Sequence, residues 1–252
     1  FFMTNNNIYF IANWKMHGNT KNIDKVQAVI KLSKLQKYKK SKIIYCPPYT
    51  LLKTFYDKTK NSKISIGAQN CHTNSDFGAF TGSINAKLIK STGAKYIILG
   101  HSENRKSGEN DSSINIKIHS ALKENLKIIL CIGEKLSEKK KKTTIKVLKK
   151  QLKNCLSRVN KKANIIIAYE PVWSIGTGII PKSSELKENI KIIKKILKTL
   201  KKSKNIKILY GGSVNPKNVK NLAQIKEING FLIGGASLNS KKFIDIIKKT
   251  IN

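Results

Sequence analysis

Eight short apolar, β-branched runs recur about every thirty residues along this chain, and no other feature restricts its possible folds as much. In order they are IYFIAN, KIIYC, ISIGAQ, YIILG, KIILCIG, IIIAYE, IKILYGG and GFLIGG. Between them lie amphipathic or lysine-rich stretches such as INIKIHSALKEN, whose apolar residues fall three and four apart, as on one helix face. Strands that are apolar throughout are buried on both sides, and strands that alternate with helices pair in parallel through right-handed crossovers. Eight such units in 252 residues predict an α/β fold, a closed (β/α)8 barrel forming a single domain over residues 1–252. An open doubly wound sheet is the runner-up. Its dinucleotide turn, Gly-x-Gly-x-x-Gly, does not follow the first run, which continues instead into NWKMHGNT.

A formal charge of +36 raises the question of nucleic acid. Nucleic-acid readers gather charge on one face, use arginine for bidentate contacts and stack bases on aromatics. Here only Arg105 and Arg158 are arginines, and the lysines fall on every predicted helix, as in EKKKKTTIKVLKKQLKN, LKENIKIIKKILKTLKKSK and NSKKFIDIIKK. That distribution predicts solvated helix faces and no specific nucleic-acid partner, although a positive field helps to gather a small anionic substrate. No stretch approaches the length of apolar sequence that a membrane span needs, and the opening FFMTNNNIYFIANWK lacks the order of a secretory signal. The expectation is a cytoplasmic protein with no membrane partner, and Phe1 and Phe2, ahead of Met3, read as a leader or a start-site ambiguity. Cys46, Cys71, Cys131 and Cys155 lie far apart without a Cys-x-x-Cys pair, which reads as reduced structural thiols.

A barrel of this kind carries its chemistry on the loops at the carboxyl ends of its strands. Those ends offer Asn13 and Lys15 after the first run, His101 and Glu103 in LGHSEN after the fourth, Glu170 after the sixth, YGGSVN after the seventh and IGGASL after the eighth. Singly, each has a plain structural explanation: an asparagine caps a turn, a lysine is a solvated charge, a glycine pair is a bend. His17, His72 and His119 show no metal-ligand spacing with His101 or with each other, so no metal is expected. Together, a carboxylate, an imidazole, an ammonium and two glycine-rich nests at one rim suit proton abstraction beside the carbonyl of a small phosphorylated substrate. Such chemistry needs no cofactor.

Six segments, NWKM, GHSEN, CIGE, AYEPVWSIGTG, YGGSVN and GFLIGGASL, occur in an order and at separations that closely resemble the triosephosphate isomerase family, from Phe10 to Leu238. The resemblance implies a TIM barrel that interconverts dihydroxyacetone phosphate and D-glyceraldehyde 3-phosphate through an enediolate, in glycolysis and gluconeogenesis. By motif matching it implies Glu170 as base, His101 as electrophile and proton shuttle, and Lys15 as the cation on the oxyanion and phosphate. Asn13 is implied to orient substrate, Glu103 to stand beside Lys15, and the backbone N–H groups of Gly176, Ser213, Gly234 and Gly235 to cradle phosphate. PVWSIGTG is implied to be a lid, with Ile175 and Leu232 pressing on the closed carboxylate. Alternatives are another phosphate-binding barrel enzyme and a basic polyanion-binding barrel that has lost catalysis.

Two departures stand out. Where the family commonly has Lys-Thr-Ala, this chain has Ile179-Ile180-Pro181, and a tyrosine matching Tyr210 is implied to bond a backbone N–H at position 181 that proline lacks. The expected result is a weaker or different latch. A glutamate and an arginine that bridge two subunits in the family are matched by Ser83 and Asn104. Both charges are gone together, so neither is left unpaired. The loop QNCHTNSDFGAFTGS, with Phe77, Phe80 and Thr81, is expected to dock into a second copy near Asn13 and Met16, giving a homodimer.

Overall fold

A computed structural model describes residues 7–202 and 206–251. Phe1 and Phe2, read above as a leader or a start-site ambiguity, lie outside the described residues. The strands are β1 (Ile8–Asn13), β2 (Ser41–Cys46), β3 (Ser65–Ala68), β4 (Tyr96–Leu99), β5 (Lys127–Ile132), β6 (Ile165–Tyr169), β7 (Lys207–Tyr210) and β8 (Gly230–Ile233). Each coincides with one of the apolar runs. All pair in parallel with their sequence neighbours, and β8 returns to β1, so the sheet is the expected closed (β/α)8 barrel and not the open alternative.

Why the strands read as apolar throughout is visible in their alternation. Ile11, Ile44, Ile98, Ile129, Cys131, Ala168, Leu209 and Leu232 point into the ring and form one buried cluster. Their neighbours, such as Phe10, Ile43, Ile97, Leu99, Ile128, Leu130 and Ile167, point outward into a second cluster shared with the helices. Neither face meets water. Each fully buried Ile, Leu or Phe side chain contributes about 1.5–3 kcal/mol relative to exposure.

The helical layer consists of α1 (Gln27–Lys34), α2 (Leu52–Thr59), α3 (Ala86–Ser91), α4 (Ser102–Lys106), α5 (Asp111–Lys123), α6 (Leu136–Lys140), α7 (Thr144–Cys155), α8 (Ser183–Thr199), α9 (Val219–Ala223) and α10 (Ser240–Ile251). The stretch EKKKKTTIKVLKKQLKN, read above as one helix, is two. Four successive lysines repel along a helix, and Lys142 takes a left-handed backbone (φ 56°), which breaks the run before Thr144. Among the described residues no helix is long and apolar enough to cross a membrane.

Candidate active site

Glu170 follows β6 directly, and its backbone N–H donates to the Ile132 carbonyl at 2.8 Å, extending the barrel pairing by one residue. Its own carbonyl presses on Gly133, where a Cβ would come within 1.7 Å, so only glycine is admitted there. The side chain is 2 % exposed. Its Oε1 stands 3.5 Å from His101 Nε2, and the Cys131 thiol and the Ser102 backbone N–H favour its ionised form. Burial pushes the Glu170 pKa above the ordinary carboxylate value, against the opposing pull of His101, the Cys131 thiol, the Ser102 N–H and Lys15. The result is a stronger base than a solvated carboxylate.

His101 sits at the end of β4, 5 % exposed, and caps α4: its Nδ1 accepts from the Glu103 backbone N–H at 3.3 Å. An acceptor nitrogen carries no proton, so this contact selects the neutral tautomer with the proton on Nε2, the nitrogen that faces Glu170. The Glu103 carboxylate is 3.6 Å from Nδ1, too long for a hydrogen bond. Its main partner is Lys15, whose Nζ is 2.7 Å from Glu103 Oε1. Burial works to raise the Glu103 pKa, but the Lys15 bond and the nearby positive groups prevail and hold it below the usual range.

Lys15 has a left-handed backbone, φ 53°, which costs a non-glycine residue about 1–3 kcal/mol and persists only where the surroundings fix it. They do. Asn13 Oδ1 accepts from the Lys15 N–H at 3.0 Å, and Gln69 Nε2 donates to the Lys15 carbonyl at 2.8 Å and to the Cys46 carbonyl at 2.8 Å. The strain aims the ammonium into the barrel mouth.

Asn13, Lys15, His101, Glu170, Gly176, Ser213, Gly234 and Gly235 all line one cavity of about 660 Å³ at the carboxyl rim. Every residue named from the sequence as catalytic or substrate-binding is therefore brought to one place. Ile175 and Leu232 line the same cavity. A Cβ on Gly235 or Gly176 would meet nothing within 4 Å, so their backbones are open to a ligand. Gly211 and Gly212 are needed for a different reason than a phosphate nest. A Cβ on Gly211 would lie 2.7 Å from Glu170 Cγ, and one on Gly212 would lie 2.2 Å from the Tyr210 hydroxyl.

The segment expected to form a lid opens with the short turn Val172–Ser174, and its tip, residues 176–179, is exposed. Gly176 and Gly178 both have left-handed backbones, φ 72° and 78°, which favours glycine at each. Trp173 Nε1 donates to Glu134 Oε1 at 2.8 Å, and Tyr169 donates to Glu134 Oε2 at 3.1 Å. Ser174 is fully buried; its Oγ donates to the Ile179 carbonyl at 2.6 Å and pairs with the Tyr210 hydroxyl at 2.9 Å. Tyr210 therefore has a hydroxyl partner at the first end of the lid, while the buried Pro181 at the other end offers no N–H. Burial raises the Tyr210 pKa to about 12, with the Ser174 bond acting the other way.

The sequence reading missed four contributors. Cys131, expected to be only a structural thiol, favours the ionised form of Glu170 with its S–H, and Ser102 does so with its N–H. Gln69 and Gly211 were passed over or given another role. Cys131 carried a usable signal, since alternation along KIILCI places it inside the ring, whereas Gln69 lies in a loop whose partners only the folded chain reveals. Among the described residues no three His, Cys, Asp or Glu side chains gather as a metal site.

The family model for triosephosphate isomerase matches residues 8–250. A triosephosphate isomerase from Thermodesulfovibrio yellowstonii is 37% identical over 247 residues, covering 95% of this chain and 98% of that one. One from Wolbachia pipientis wMel is 39% identical over 239 residues, covering 95% and 92%. The crystal structure of triosephosphate isomerase from Bartonella henselae superposes with a TM-score of 0.86 at 35% identity, over 96% of this chain and 98% of that one.

Proposed function

The chain belongs to the triosephosphate isomerase family, isomerase enzymes that act on triose phosphates, and from that premise we propose how its residues divide the work. Backbone N–H groups of Ser213, Gly234 and Gly235, joined by Gly176 when the lid closes, hold the substrate phosphate. Lys15 and the Nε2–H of His101 polarise the carbonyl of dihydroxyacetone phosphate or D-glyceraldehyde 3-phosphate. Asn13 orients the substrate. Glu170 takes the proton from the carbon beside the carbonyl and returns it to the neighbouring carbon. His101 moves the proton between the two enediolate oxygens. All atoms are conserved, and no cofactor enters.

One observation carries this reading: a buried carboxylate 3.5 Å from the protonated face of a neutral imidazole, in the cavity that Lys15 shares. Lid closure excludes water from that pair and strengthens the base further. The deciding experiment is turnover of glyceraldehyde 3-phosphate beside a Glu170→Asp variant, whose carboxylate is drawn back by one methylene. A fall of about 10²-fold is expected from such a misplacement. Absence of turnover in the unaltered protein would favour a basic polyanion-binding barrel instead. Nothing in the chain's relatives supports that alternative.

The same reading assigns the enzyme to glycolysis and gluconeogenesis in the cytoplasm, with residues 1–252 as one domain, and to a homodimer. Met16 (94 % exposed), Phe77 (66 %) and Phe80 (47 %) support the last point, since large apolar side chains so open to water mark a contact surface.

A further inference from the structure

Lys139 on α6 reaches both ends of the lid. Its Nζ lies 3.7 Å from the centroid of the Trp173 ring, in the turn that opens the lid, and 2.7 Å from Glu185 Oε1, in the first turn of α8 just beyond the lid's other end. Glu134 bonds the edge of the same indole at 2.8 Å. The ring is thus held on its edge by an acceptor and on its face by a cation, both from the segment that follows β5. The side chains of Lys139 and Glu185 are 31% and 34% exposed, so water and salt screen their contacts only in part.

We propose that Lys139 is a positioning residue for the lid, tying Trp173 at one hinge to Glu185 beyond the other so that both ends keep a fixed register on α6 while the tip moves. The proposal rests on the reading of Pro171–Gly178, with its second hinge Ile179-Ile180-Pro181, as a lid over a triose phosphate. A cation over an indole face and an ion pair act together here, each of moderate strength. Without the tie, the hinges would sample orientations in which the lid closes out of register. Closure would be less complete, and the enediolate would lose phosphate more often, yielding methylglyoxal.

The test compares Lys139→Met, which keeps the stem and removes the charge, with Lys139→Arg, which keeps the charge, and with Glu185→Gln. Acrylamide quenching of tryptophan fluorescence without substrate reads the tie directly, because the other tryptophan, Trp14, is buried at 3% exposure. Lys139→Met is expected to raise quenching, lower kcat/KM roughly three- to tenfold and increase methylglyoxal per turnover, with Arg restoring all three. Unchanged quenching and methylglyoxal in Lys139→Met would overturn the proposal, as would failure of Arg to rescue. Thermal midpoints guard against misfolding. If Lys139→Met unfolds, Glu185→Gln, which leaves Lys139 intact, decides by the same readouts. An unaltered protein without isomerase activity would refute the functional reading, while quenching would still decide the tie.

Discussion

His101 Nε2 and Glu170 Oε1 stand 3.5 Å apart with both side chains almost wholly buried, so the imidazole and the carboxylate face each other with little room for water. The pair is close enough to share a substrate and too far apart to consume each other in a strong hydrogen bond. Substitution at Glu170 should therefore leave the cavity standing and remove its chemistry. Glu170→Gln is expected to cut kcat for glyceraldehyde 3-phosphate by about 10²–10⁴-fold, the usual share of a general base, with a smaller change in KM. A variant that retained most of its kcat would remove Glu170 from the role of base.

The same substitution should make the protein more stable. Burial raises the Glu170 pKa in the folded chain, so over the window from the ordinary carboxylate pKa up through the folded value the folded state holds more protons than the unfolded state. Stability then falls as pH rises through that window, and the full penalty remains above it. Glutamine is never ionised and escapes the penalty. Thermal unfolding of both proteins from pH 4.5 to pH 8 should show an advantage for Glu170→Gln that grows with pH. An advantage that stays flat or shrinks would contradict this.

Gly211→Ala tests whether the resting position of the base matters. The new Cβ would lie 2.7 Å from Glu170 Cγ, displacing that side chain from its place. Overpacking of this kind costs about 1–3 kcal/mol, and the misplaced carboxylate should lower kcat by roughly 10²-fold with KM little changed. Equal kinetics in a folded Gly211→Ala protein would show that the base ignores its neighbour.

Ser174 and Pro181 together determine how Tyr210 is held. Ser174→Ala leaves the Tyr210 hydroxyl without its 2.9 Å partner, a loss of about 1–3 kcal/mol for a buried group. Pro181→Ala restores a backbone N–H at the other end of the lid. Methylglyoxal per turnover is expected to rise in the first variant and fall in the second. If both ratios match that of the unaltered enzyme, Tyr210 has no part in keeping the lid shut.

Association is read most simply by light scattering. At micromolar concentration the protein is expected to have twice the mass of the chain, and Phe77→Glu to shift it towards monomer, since a charge replaces a large exposed ring. With Ser83 and Asn104 in place of an ion pair, added salt should change the dimer little. A monomer under all conditions would dispose of the assembly.

The fold was legible because burial on two faces and period-thirty alternation act on every strand at once. Each of the eight runs, from Ile8–Asn13 to Gly230–Ile233, became one stave. Asn13, Lys15, His101 and Glu170 were legible for a related reason: in a closed parallel barrel, the end of a strand is an address at one rim. What escaped depends on side-chain contacts between distant segments. Gln69 reaches the Lys15 carbonyl across 54 residues, and Ser174 meets Tyr210 across 36, pairings that no local spacing encodes. The split between α6 and α7 escaped because lysine is a good helix former singly, and only the run of four makes it a poor one.

Because β8 closes on β1, the sheet has no first or last strand, and that has a bearing on how so isoleucine-rich a sheet avoids pairing edge to edge with other chains. A free border of unpaired amides along runs such as KIILCI would invite other chains to add to it. A ring presents none, so the many lysines have only to keep whole molecules apart, and the composition of the outer surface is free to drift without endangering the sheet beneath.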